Sequence, residues 1–151
     1  MANLVPMDRK AKKKFIALLE ENFGFSGELP YQFIVSDKNK VYLVNPEISQ
    51  IPFENIRMNS LGLYFGEWNG SEIRLSIEGS QIIGPGAAKN VVETKEGDAR
   101  KWLKGENLSL DGHGQGFVII KCGDDYLGSG KAKNGAILNF VPKARRLYVS
   151  D

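Results

Sequence analysis

"DYLGSGKAKNGAILNFVPKARRL", residues 125–147, decides how the second half of this chain is read. It holds three glycines and five Lys or Arg, with no acidic residue after Asp125. Two folds compete for it, a phosphate-binding loop that feeds a helix and a pair of strands. A Walker-type loop needs a first glycine, then glycine-lysine and a Ser or Thr hydroxyl for magnesium, then a helix. Here Asp125 stands where the first glycine belongs, and Ala132 follows Lys131. The apolar alternation of "NGAILNF" has the period of a strand. The phosphate-loop reading fails, and a β-hairpin turning at Asn134-Gly135 remains, because that dipeptide tolerates the positive φ of a tight turn. Gly128 and Gly130 then lie inside a strand, where glycine marks a bend or a close approach of another backbone. Both readings stay open.

Working outward, "GFVIIKC" is a strand that reaches the hairpin through a turn at Asp124-Asp125. "NVVET" is a strand, "EGDARKWLKG" a helix closed by Gly105, and "RRLYV" a last short strand. "GHGQG" (112–116) precedes a strand rather than a helix and lacks the dinucleotide-binding spacing. Before these, "EGSQIIGPGA" reads as a short helix ended by Gly84-Pro85-Gly86, the best candidate boundary in the chain. "YQFIV" and "VYLVN" flank a turn at "SDKNK". "LGLYFGEW" and "EIRLSI" flank a tight one at Asn69-Gly70. "NPEISQIPFENI" carries two prolines and reads as a loop with a short helix. "MDRKAKKKFIALLEENFG" is an amphipathic helix with Asp8 as N-cap, Ala11, Phe15, Leu18 and Leu19 on one face, and Gly24 at its end. The expected architecture is α+β, with an α/β domain at residues 1–86 and a small β-barrel with one or two helices at 87–151.

The length of 151 residues fits one ordinary domain or two small ones. A hydrophobic fraction of 42% is enough to bury a core. Net charge is only +2, but residues 121–151 carry six basic against three acidic side chains, so the excess is local. Five of the six residues Arg9–Lys14 are also basic. Charge of that sign early in a helix opposes the macrodipole, so the run is either a solvated face or a contact for an anionic partner. One cysteine, Cys122, permits no internal disulfide and fits a reduced compartment. One histidine, His113, with that cysteine falls short of a structural zinc site. No apolar run approaches a membrane span, and the N-terminal stretch does not read as a signal peptide.

The stretch "NVVETKEGDARKWLKGENL…GFVIIKCGDDYLGSGKA" resembles the PUA domain, an RNA-binding module named for pseudouridine synthases and archaeosine transglycosylases. Lys104-Gly105 and Leu127-Gly128-Ser129-Gly130 match its helix-end and Leu-Gly-x-Gly motifs. Upstream, "GLYFGEW…IRLSIEGSQIIGPGAAKNVVE" resembles the pre-PUA/PUA factors of large-subunit ribosome biogenesis, found in archaea among others. The tail "GSGKAKNGAILNFVPKARR" is also similar to the PUA-like domain of Sun-type RNA cytosine methyltransferases. The resemblance implies a pre-PUA-like domain followed by a PUA domain, and a structured RNA, ribosomal or transfer, as partner. It further implies a protein partner, from ribosome biogenesis or RNA modification, held through residues 1–86.

No catalytic set is expected. Methyl transfer needs a cofactor-binding half, and Cys122 sits in an apolar strand where cysteine serves as a small hydrophobe. His113 lies in a glycine-rich loop. Glu20-Glu21 and Asp124-Asp125 are adjacent pairs, and on a helix adjacent side chains diverge by about 100°. Trp102 is either core or a stacking surface, and the same choice holds for Tyr126 and Tyr148. The expected RNA-facing set is Lys89, Lys104, Gly105, Gly128, Gly130, Lys131, Lys133, Lys143, Arg145 and Arg146. Lys131 and Lys133 share one strand face, whereas adjacent Arg145 and Arg146 diverge. The expectation is a non-catalytic, cytoplasmic RNA-binding protein with no cofactor and no metal. The competing expectation is a protein-interaction adaptor whose barrel docks a partner without RNA.

Overall fold

The structure, a computed structural model, describes residues 4–44, 62–109 and 116–146. Strand β1 (Leu4–Pro6) leads into helix α1 (Arg9–Phe23), followed by β2 (Gln32–Ser36), β3 (Lys40–Val44), β4 (Leu63–Trp68) and β5 (Ile73–Leu75). Helix α2 (Ile77–Ile83) runs into a 3₁₀ turn at Gly84–Gly86. Then come β6 (Val91–Glu93), α3 (Glu96–Leu103), β7 (Leu108–Ser109), β8 (Gly116–Cys122), β9 (Asp125–Lys133) and β10 (Ala136–Asn139), with a 3₁₀ turn at Lys143–Arg145. The strands form two five-stranded sheets, β1-β2-β3-β4-β5 and β6-β8-β9-β10-β7. The fold is mixed α+β, and the second sheet is a curled half-barrel closed on one side by α3.

The local rules account for the elements. Asp8 is extended and its carboxylate accepts from Ala11 N at 2.7 Å, while Gly24 ends α1 at φ 58°. A cap of this kind is worth about 1 kcal/mol. Phe15, Leu19 and Phe23 point inward and are fully buried. Phe15 packs on the rings of Phe33, Phe65 and Trp68 at 5.1–5.6 Å between centroids, which locks α1 onto the first sheet. In the second sheet β6 pairs with β8 in parallel, Val91 opposite Ile119. Parallel neighbours need a crossover, and the segment holding α3 and β7 supplies it. Trp102 of α3 has no solvent exposure and fills the curl of this sheet, its indole N–H donating to Leu127 O at 3.3 Å. The core reading of Trp102 holds.

The segment between the sheets is fastened rather than loose. Ala88 N and Lys89 N donate to Phe23 O, Asn90 Nδ2 donates to Asn22 O, and Ser26 N donates to Gly86 O. Residues 88–90 thus satisfy carbonyls at the end of α1 that the helix itself leaves open, and Gly86 accepts from the residue beyond its cap. Ile119, with partly buried Val91, Phe117 and Tyr126, joins the core of the first sheet. Ser129 Oγ reaches across to donate to Leu75 O at 2.6 Å in a buried contact.

Several expectations need correction. Strand β1, for which no strand was expected, pairs with β2, Val5 opposite Val35. The β8–β9 turn is made by Gly123 and Asp124, leaving Asp125 as the first residue of β9. Cys122 is half-buried at the end of β8, opposite Asp125, and is not a buried hydrophobe. Of the expected strand "RRLYV", Arg145 ends a 3₁₀ turn instead, and residues 147–149 lie outside the described residues. Asn139 Oδ1 accepts from Val141 N at 2.7 Å, and Pro142 has no N–H to add to a ladder, so the chain leaves the sheet. The loop "NPEISQIPFENI", His113, most of "GHGQG" and Tyr148 lie outside the described residues.

Candidate nucleic-acid interface

The ten residues singled out from sequence fall into separate groups. Lys131 and Lys133 do share a face of β9, with Lys133 exposed and Lys131 half-exposed. Leu138 and Ala136 are their register partners on β10. The Asn134-Gly135 turn has φ of 52° and 80°, the double positive geometry expected of that dipeptide. Lys131 Nζ lies 5.3 Å from the centre of the Phe117 ring. The two lysines border a shallow depression with Glu72 and Gly116. Here the charge is partly opposed by a carboxylate that comes from the β4–β5 loop.

Arg145 and Arg146 diverge as expected of adjacent residues. Arg145 Nη1 meets Glu78 at 2.6 Å, a partner 67 residues earlier, on α2. The local stretch without acids is therefore not a field without acids. Arg146 turns toward α3: its Nε donates to Val141 O at 2.9 Å, and its side chain fills the space beside Gly105. A Cβ on Gly105 would come within 2.5 Å of Arg146 Nε. This brings Lys104, Gly105 and Arg146 together at the C-terminal end of α3, and Lys143 is exposed in the same 3₁₀ turn. Lys89 sits elsewhere, exposed beside the end of α1, where a cation suits the carbonyl end of the helix dipole.

The two strand glycines have different roles. A Cβ on Gly130 would lie 2.5 Å from both Leu138 O and Trp102 Cη2, so this glycine makes room for the core tryptophan. Gly128 has φ 117°, which excludes ordinary side chains, and it lines a cleft between the two sheets.

That cleft, of about 310 Å³, was not legible in the sequence because its walls come from distant segments. Lys40, Tyr64 and Arg74 line it from the first sheet, and Phe140 and Pro142 from the end of the second. Arg74 Nη2 is held by Glu67 Oε1 at 2.8 Å, and its guanidinium stands 4.8 Å from the centre of the Phe140 ring. Burial, and then the nearby Glu67 carboxylate, raise the pKa of the Tyr64 phenol above its ordinary 10.0. Arg145 and Glu78 also line the cleft, with Val141 and Pro142 in the wall that follows β10. Asn139 braces that wall. Its side-chain N–H groups donate to Trp102 O and Glu106 O, and its backbone N–H donates to Asn107 Oδ1.

Residues 89–147 match the family model described as the methyltransferase RsmF PUA domain. The chain is also similar to ribosomal RNA small subunit methyltransferase F of Vibrio atlanticus, at 24% identity over 140 residues, 91% of this chain and 30% of that protein. Its counterpart in Vibrio cholerae is 28% identical over 106 residues, 70% of this chain and 22% of that one. The Aeromonas hydrophila enzyme is 25% identical over 140 residues, 92% of this chain and 29% of the relative. The chain therefore spans less than a third of the length of these relatives. Of the two resemblances in the sequence, the matched model lies on the methyltransferase side. Residues 89–147 are thus similar to the PUA domain of these ribosomal RNA methyltransferases.

Proposed function

We propose that this chain is a non-catalytic RNA-binding module that serves the modification of ribosomal RNA. The observation that carries this reading is the PUA match over residues 89–147, the stretch that bears Lys131, Lys133, Lys104 and Lys143 at its surface. The named relatives are ribosomal RNA small subunit methyltransferases, and more than two thirds of each lies outside the alignment. A division of labour follows, in which methyl transfer belongs to the part not aligned and RNA grip to the part that is. Phosphate contacts from Lys131, Lys133 and the Lys104–Arg146 corner set affinity and register rather than sequence choice. On this reading the protein works in the cytoplasm.

The division into residues 1–86 and 87–151 is part of the same proposal, supported by the change of sheet between β5 and β6. The interlocked core and the hydrogen bonds of residues 86–90 argue that the two units move as one. Residues 1–86 would face a protein of the modification machinery, with the exposed basic turn Arg9, Lys10, Lys13 and Lys14 available for that contact.

The test is a titration of the whole chain with a fragment of small-subunit ribosomal RNA over a range of salt. A log–log slope of several units, reduced by about one for each phosphate contact removed, is the expected result. Absence of binding, or affinity indifferent to salt, overturns the reading and leaves the adaptor function.

A further inference from the structure

We infer that the cleft between the two sheets receives one unpaired nucleotide of the bound RNA, its base lying against a surface formed by Tyr64, Arg74 and Phe140. This rests on the RNA-binding reading above and adds a site to it. The volume of about 310 Å³ is at the small end of ligand pockets, matched to a single nucleotide rather than a helix. Duplex RNA is gripped by its backbone, whereas unpaired bases are splayed out and stacked on aromatic rings and guanidinium planes. Both kinds of face line this cleft.

The surface is already assembled. Glu67 fixes the Arg74 guanidinium, which stands over the Phe140 ring and beside the Tyr64 hydroxyl. A guanidinium has five N–H donors, so the one bond to Glu67 leaves others for a base edge or a phosphate. The phenol of Tyr64 stays protonated at neutral pH and is therefore a hydrogen-bond donor, since burial raises its pKa. Lys40 Nζ, 6.0 Å from the Tyr64 ring centre, adds a second cation at the wall of the first sheet. Glu67 and Glu78 supply acceptors suited to exocyclic amino groups. A fully acidic ligand fits less well, because these carboxylates oppose it.

Since one wall belongs to each sheet, the occupant would touch both. Gly128 and Ser129 of β9 line the cleft, and the same strand carries Lys131 and Lys133 further along. A strand held by phosphates on those lysines has a route to place one nucleotide here.

Two hairpin RNAs closed by the same structured tetraloop separate this site from general RNA binding, one with a fully paired stem and one with a single-nucleotide bulge of 4-thiouridine in the stem. With the unaltered chain, illumination is expected to crosslink the bulged base to the peptide containing Tyr64 or to the one containing Phe140. Phe140→Leu, which keeps apolar volume and removes the aromatic face, is expected to weaken the bulged hairpin roughly tenfold. It should leave the paired hairpin unchanged. Arg74→Gln should do the same if Phe140→Leu does not fold. Crosslinks confined to other peptides, or equal effects of the variant on both hairpins, overturn the cleft assignment while RNA binding stands. If the unaltered chain binds neither hairpin, the RNA-binding reading itself falls.

Discussion

The ring of Tyr126 occupies the space that a Cβ at Gly84 would need: its Cδ1 lies 2.3 Å from that position. Gly84 itself is in ordinary right-handed helical conformation, with φ −49° and ψ −50°. Its requirement for glycine is therefore one of space alone, imposed by a residue of the other sheet. Gly84→Ala is expected to destabilise the protein by about 1–3 kcal/mol, as overpacking does. In a double-mutant cycle with Tyr126→Leu, urea unfolding should show that most of the loss disappears. Full additivity of the two changes would mean that the contact does not couple the sheets.

Gly130→Ala gives a second packing test with a different purpose. The new methyl group would meet Trp102, Ile137 and the Leu138 carbonyl, all part of the wall behind β9. Stability should fall by about 1–3 kcal/mol. RNA affinity, measured well below the midpoint of unfolding, should not change. A loss of affinity without a loss of stability would return Gly130 to the ligand-facing role suggested by its place in the Leu-Gly-x-Gly motif.

Charges in the basic tail are not equivalent. Lys131→Gln with Lys133→Gln should lower RNA affinity and reduce the salt slope by about one to two units. Arg145→Gln should do less, because Glu78 already offsets its charge. It should also leave stability nearly unchanged, since a half-exposed pair is worth only about 0–1 kcal/mol. Titrations of each variant at three or four salt concentrations separate these outcomes.

Tyr64 makes the stability of the protein pH-dependent at the alkaline end. Its folded pKa is raised above the ordinary 10.0, chiefly by burial. The unfolded chain therefore ionises first, and the stabilising contribution is whole below pH 10.0 and lost as pH rises through the raised value. Tyr64→Phe should flatten this part of the profile. The measurement is urea unfolding between neutral pH and the alkaline limit, alongside ultraviolet titration of the phenol.

The sequence by itself determined most of the described elements. The cap at Asp8, the stop at Gly24, the Asn134-Gly135 hairpin and the period of "GFVIIKC" are local signals, because each depends on residues a few positions apart. Leu-Gly-x-Gly and Lys-Gly at the end of α3 were enough to suggest a PUA domain. Strand β1 escaped because "LVP" is three residues long and is held only by pairing with β2. Only the tertiary structure decided which charges meet. Arg145 looked unopposed in its own segment, yet Glu78 reaches it from α2. It also decided that Gly130 serves Trp102, and that Tyr64, Arg74 and Phe140 form one surface. Electrostatics and packing act through space, and the sheets bring together residues whose separation along the chain carries no trace of the contact.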